Sequence, residues 1–272
     1  VSVDNYKQLL DDPTVTVFST EADSHMVFTF NCSNKSMFNN IKLRQAFVAA
    51  MDLEEQAIAA KGTDKTFWEL DGSFAGPNCE WYIPNAGVGI YNSQDREKAK
   101  NLIKEAGYKG TPVRILYPSD NEDYSAVAQV LQQQLEAVCF AVELIALDRP
   151  TVIEKRATDD QWDVHISDWF VYVYDPTVTA GYVNRNGWLT RWDDEDALIT
   201  EKILKKLDEE TDFEARYKIF CEWHDEFLRT APHAKGYAYP RLIMINPRVQ
   251  DYWVDKDGAF PKYMGFNLWL ED

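Results

Sequence analysis

Two runs of this 272-residue chain gather aromatic and acidic side chains closely enough to meet one ligand together. The first is Tyr117 followed by PSDNEDY, and the second is DWFVYVYDP over residues 168–176, which carries Asp168, Trp169, Tyr172 and Tyr174. Rings of this kind stack on a planar or apolar group or sandwich an extended chain, and a carboxylate among them can take a cationic group. Trp81 is a further candidate ring, in a loop over residues 62–92 punctuated by Gly72, Gly76, Pro77, Pro84, Gly87 and Gly89. A loop so long and so aromatic within a compact domain usually serves a function.

Covalent chemistry finds fewer supports. No G-x-S-x-G and no phosphate-binding loop occurs, and Gly87-Val88-Gly89 lacks the strand before it and the helix after it that a dinucleotide site requires. His25, His165, His224 and His233 show no metal-ligand spacing except Cys221 with His224, which is half a site. No cofactor is implied. Glycoside hydrolysis needs two acidic groups facing each other across a sugar site, and here the strand ends offer one obvious candidate, Asp168.

The formal charge is −17 with a pI near 4.6, so the long-range field repels phosphate backbones and anionic lipid headgroups, and nucleic acid is not an expected partner. No apolar run reaches the roughly 18 residues of a spanning helix, and the first residues, VSVDNYKQLLDD, lack the basic and apolar regions of a signal peptide. A chain beginning at Val is read as a processed or truncated product whose export signal lies elsewhere. Cys32, Cys79, Cys139 and Cys221 are scattered without a C-x-x-C pair and are expected as buried thiols.

The elements that would position these residues follow from periodicity. Leu43, Ala46, Phe47 and Ala50 make one helical stripe with Asn39 or Asn40 as its cap, and Asp52-Leu53-Glu54-Glu55 restarts a second helix that Gly62 ends. Ala99, Leu102, Ile103 and Ala106 mark a helix closed by Gly107. Strands are expected at residues 113–117, 142–146 and 162–167. They are separated by a helix carrying Tyr124, Val127, Leu131 and Leu135 and by one that Asp148 caps with Pro150 in its first turn. Such a β-α-β-α-β order gives parallel strands with right-handed crossovers, hence an α/β fold. Ligands then meet the carboxyl ends of the strands, which is where Tyr117 and residues 168–176 fall. Asp175 before Pro176 suits a helix cap, and the acidic run 193–196 suits a helix N-terminus.

FNCSN, then IKLRQAFVAAMD, SQDREKAKNLIKEAGY, AVAQVLQQQLEAVCFAVEL and the W-x5-D-P of residues 169–176 occur in fixed order. NGWLTRWDDEDALI, RYKIF and VQDYWVDKDG follow. This series resembles the bacterial extracellular solute-binding proteins of family 5, the dipeptide, oligopeptide and nickel receptors of ABC importers. The resemblance implies a periplasmic-binding-protein-like (type II) lobe, three-layered, with a parallel-strand core and a β-prone C-terminal return segment. It divides the chain into an inter-lobe segment over 1–26, the second lobe over 27–248 and a return segment over 249–272 that leads toward an absent first lobe. It makes Arg44 a structural partner.

The function implied is capture of a small solute between lobes for delivery to ABC permease subunits, by an extracytoplasmic receptor, periplasmic or a cell-surface lipoprotein, and not an enzyme. Peptide-binding members resemble one another in an aspartate three residues before the D-P. Tyr172 stands there in this chain, which leaves Asp168 as the carboxylate at hand. An oligopeptide is the leading solute, and a sugar or a metal chelate suits the same aromatic wall. Two other classes fit the residues: an aromatic-platform carbohydrate-active hydrolase, or a carbohydrate or adhesion binding module.

Overall fold

The computed structural model describes residues 2–20, 22, 24–158, 160–170, 175–177, 185, 187, 189–250 and 269–270, with Phe170 and Trp269 described by their backbone alone. Its centre is a five-stranded mixed sheet ordered β4-β3-β5-β2-β6, formed by β2 (Ser24–Phe30), β3 (Val113–Pro118), β4 (Val142–Leu147), β5 (Val164–Phe170) and β6 (His233–Tyr239). The three strands expected to be parallel are so, with β3 between β4 and β5. β2 pairs antiparallel with both β5 and β6, so every residue of SHMVFTF is buried. A strand covered on both faces has no polar alternation to display.

Side chains of β3 divide the core. Val113, Ile115 and Tyr117 point into the main cluster, whereas Leu116 joins Val152 and Trp162 on the other side, as the two-residue period of a strand requires. The main layer holds α2 (Ile41–Ala50), α3 (Leu53–Lys61), α4 (Arg96–Glu105), α5 (Glu122–Glu136), α7 (Glu195–Glu209) and α8 (Phe213–Thr230). The opposite face carries α6 (Arg149–Thr158), whose Val152 is its one buried residue. Helix, sheet and helix make three layers. α1 (Val3–Leu9) precedes β1 (Thr16–Ser19), which pairs antiparallel with β7 (Leu242–Ile245), and β8 (Val249–Gln250) pairs with β9 (Trp269–Leu270).

The expected caps are in place. The Asn40 side chain accepts the Lys42 N–H, that of Asp52 the Glu55 N–H, that of Asp148 the Thr151 N–H, and that of Asp194 the Ala197 N–H. Gly62 and Gly107 end their helices at φ of 82° and 67°, a region that side chains resist. Arg44 is wholly buried; Nε donates to the Thr230 carbonyl at 2.8 Å and Nη1 to the Phe38 carbonyl at 2.7 Å. Its guanidinium thus ties α2 to the end of α8. Cys32 is buried as expected, and burial pushes its thiol up to about 11, but Cys139 is exposed in a turn with φ of 77°.

One boundary differs from the sequence expectation. The sequence pattern puts the third parallel strand at 162–167 with Asp168, Trp169 and Phe170 beyond it, yet β5 runs from Val164 through Phe170. The parallel ladder to β3 covers Val164 and His165, while the antiparallel ladder to β2 runs from Phe30↔Val164 to Ser24↔Phe170. The second partner therefore carries the strand past the point where the parallel pattern stops. Trp162 lies before β5, fully buried.

Candidate functional site

Two βα junctions and the end of a third strand converge at the carboxyl ends of the parallel strands. β3 ends at Tyr117-Pro118 and passes through Ser119–Asn121 into α5, where the Asn121 side chain accepts the Asp123 N–H at 2.9 Å. That cap sets Tyr124 in the first turn of α5, 2% exposed. β4 leads through Asp148 to Arg149, the first residue of α6. β5 supplies Asp168, paired across the sheet with Met26.

The three polar groups touch. The Tyr124 hydroxyl donates to Asp168 Oδ1, and Arg149 Nη2 donates to the Tyr124 oxygen at 2.9 Å and to Asp168 Oδ1 at 3.2 Å. The Arg149 guanidinium also lies 5.7 Å from the Tyr124 ring centre. Burial, then the neighbouring Asp168 charge, pushes the Tyr124 hydroxyl well above its ordinary pKa, so it stays a neutral donor. Burial opposes the charge of Arg149, but the Tyr124 and Asp168 oxygens outweigh it and raise its pKa. The Arg149 side chain remains 49% exposed, against 18% for Asp168.

A second charged pair borders this group. Lys61, at the end of α3, forms a 2.6 Å ion pair with Asp123 and places its ammonium 4.4 Å from the Tyr239 ring centre. Tyr237 is fully buried nearby in β6, and its hydroxyl lacks a hydrogen-bond partner among the described residues.

Trp169 stands on a bed of neutral imidazoles. Its ring meets His233 edge to face at 5.8 Å, and its cross-strand partner is His25. Phe74 lies in the middle, 5.9 Å from His25, 5.3 Å from His224 and 6.2 Å from His233. Burial lowers His224 and His233 to about 3, and lowers His25 well below its usual value. His224 Nε2 accepts the Phe74 N–H at 3.2 Å, which makes the Cys221–His224 pair structural. Among the described residues no group of His, Cys, Asp and Glu is arranged to hold a metal.

The sequence candidates separate. Asp168 and Trp169 lie at the convergence. Tyr117, expected on the rim, is 7% exposed and packs in the main core, because its strand position points it at the helical layer. Trp81 is 1% exposed, with Phe213 at 5.2 Å, Phe220 at 5.6 Å and the Arg216 guanidinium 5.2 Å from its ring. It is a core ring under α8, and the same Arg216 holds the Asp175 carboxylate at 2.9 Å. Asp175 also accepts the Thr177 N–H, as a cap should. Tyr172 and Tyr174 lie outside the described residues. Tyr124 and Arg149 escape sequence reading, the first absorbed into a core stripe and the second hidden behind a cap. Their signal is position alone: each opens the helix that follows a parallel strand.

A separate cavity of about 530 Å³ opens at the amino ends of the strands, where Lys35, Tyr108, Lys109, Arg114 and Glu143 line it. Arg114 is bound there to the buried Asp163 through Nε at 2.8 Å and Nη2 at 3.0 Å, a fork that fixes structure.

Residues 1–188 match the profile of the bacterial extracellular solute-binding proteins, family 5 Middle. The chain is 30% identical over 155 residues to a probable peptide ABC transporter periplasmic-binding protein, y4tO, of Sinorhizobium fredii, an alignment covering 53% of this chain and 28% of that protein. Among solved structures it is similar to the binding protein AgaA in complex with agropinic acid from A. tumefacien R10, with a TM-score of 0.82 at 18% identity, covering all of this chain and 55% of that one. It is similar also to the oligopeptide-binding protein AppA from Bacillus subtilis in complex with a nonapeptide, with a TM-score of 0.81 at 17% identity and the same coverage of each chain. The chain thus spans about half the length of these structures and 28% of the curated relative.

Proposed function

Because the chain belongs to the bacterial extracellular solute-binding proteins, family 5, we propose that it forms the second lobe of a substrate-binding component of an ABC importer. It captures a peptide-like or other small solute in an inter-lobe cleft and delivers it to the permease. The site lies at the carboxyl ends of β3, β4 and β5, with Asp168 and Trp169 on its wall; Tyr172 and Tyr174, the next candidates in the sequence, lie outside the described residues.

The observation that carries this reading is the meeting of Tyr124 and Arg149, from the helices that follow β3 and β4, with Asp168 of β5, at the place where open α/β sheets receive ligands. Residues 27–248 are the lobe; 1–26 and 249–272 are the segments toward the other lobe, and the β1–β7 ribbon joins the two ends of the described chain beside the sheet. The family's proteins are binding proteins of the periplasm or cell surface, and we assign this one the same extracytoplasmic place, with a lipid anchor as one form and binding without catalysis as its role. Among the described residues no helix is long and apolar enough to cross a membrane. Nothing among the relatives supports a carbohydrate-active hydrolase or an adhesion module.

Calorimetric titration of the protein with panels of short peptides, sugars and metal chelates tests the reading. Saturable binding by one class, weakened in Trp169→Ala, is the expected result. Binding that is indifferent to Trp169 and to Arg149 would place the site elsewhere.

A further inference from the structure

Taking the capture reading as its basis, we propose that the charged solute group received at these strand ends is an anion, a carboxylate, and that Arg149 takes it while Asp168 and Tyr124 act as positioning residues. A free carboxylate at this place would select a cationic solute group. Asp168 is not free: Oδ1 accepts from both the Tyr124 hydroxyl and Arg149 Nη2. An amine arriving there meets a carboxylate whose charge a seated guanidinium already offsets.

Arg149 presents the opposite picture. A guanidinium carries five N–H donors. The two on Nη2 serve Tyr124 and Asp168, whereas Nε and Nη1 have no hydrogen-bond partner among the described residues, and half of the side chain is exposed. The cation is held on one side and open on the other. The Tyr124 ring, its centre 5.7 Å from the guanidinium, and two fixed acceptors limit its rotamers, so less conformational freedom is lost when a ligand binds. Arg149 also opens a ten-residue helix, whose N-terminal dipole adds to its field.

The neighbouring carboxylates are engaged. Asp123 is paired with Lys61, the Asp148 side chain caps α6, and the Asp120 carboxylate takes the Arg149 backbone N–H at 3.4 Å. Among the described residues Arg149 keeps Nε and Nη1 as donors on its exposed side, and a planar carboxylate matches its fork.

Two probes separate the charges: N-acetyl-trialanine, with a carboxylate and no amine, and trialanine amide, with an amine and no carboxylate. Inorganic phosphate is the third arm. Calorimetry on the protein is expected to rank the acid at least about ten-fold above the amide and above phosphate. Arg149→Gln should lower acid affinity about ten-fold or more with little change for the amide, and Arg149→Lys should fall between. Asp168→Asn should lower acid affinity only a few-fold, since it loosens the guanidinium without removing it. Thermal unfolding of each variant separates lost binding from lost folding.

A tighter amide, abolished by Asp168→Asn, overturns the proposal and leaves solute capture standing. Phosphate ranking first overturns the carboxylate assignment. Binding of none of the three contradicts capture of peptide-like solutes and this inference with it.

Discussion

The Tyr124 hydroxyl oxygen accepts a hydrogen bond from Arg149 Nη2 at 2.9 Å, although the two residues are 25 positions apart and open different helices. Each helix follows a parallel strand, so the sheet brings their first turns side by side, and Asp168 from the third strand closes the group.

Tyr124→Phe keeps the ring and removes the hydroxyl, which leaves Asp168 with Arg149 as its remaining donor here. The loss of one buried, charge-assisted hydrogen bond should cost about 1.5–3 kcal/mol of folding stability. Urea denaturation measures it, and a midpoint equal to wild type would show that water replaces the hydroxyl freely.

Arg44→Ala should be more damaging. It strips donors from the Phe38, Asn39 and Thr230 carbonyls at a wholly buried place where α2 meets α8. A loss of about 3–5 kcal/mol is expected, with solute affinity per folded molecule little changed. A ligand-contact role for Arg44 predicts the reverse: weakened capture at near-normal stability.

Much of the scaffold is legible in the sequence because its causes are local. Asn40, Asp52 and Asp148 announce helix starts within three residues of the N–H groups they bind, and Gly62 and Gly107 announce ends. What depends on distant partners is not legible. The antiparallel pairing with β2 that draws Asp168 and Trp169 into β5 joins them to Met26 and His25, far earlier in the sequence. Trp81 is buried by Phe213 and Phe220, which arrive with a later helix, so nothing beside it in the sequence distinguishes it from a binding ring. Tyr124 obeys the apolar stripe of α5 and serves the site as well, because its ring is core while its hydroxyl reaches Asp168 at the carboxyl end of β5.

Stability should fall in mild acid. His224 and His233 have folded pKa values of about 3 against an ordinary 6.5, so the unfolded chain binds protons that the folded chain refuses. Their contribution is fully present above pH 6.5 and is lost as pH falls from there toward 3, at up to about 1.4 kcal/mol per pH unit for each histidine. Denaturation curves at pH 7, 6 and 5 should show this slope, and His224→Gln should flatten it. A wild-type profile level over that range contradicts neutral burial of both rings.

Trp169→Ala removes a ring that packs against His233 and the main core on one side. Capture should weaken by about 1–3 kcal/mol if the other side stacks on solute. Folding stability, followed in parallel by thermal unfolding, should fall as well. Lost stability with unchanged affinity would make Trp169 a core residue only.

The most direct test is a crystal structure of the protein with a solute found by titration. The solute is expected at the carboxyl ends of β3, β4 and β5, with an oxygen within hydrogen-bond distance of Arg149 and an atom in contact with Trp169. A solute seated instead in the cavity at the amino ends, against Tyr108, Lys109 and Arg114, would contradict the account.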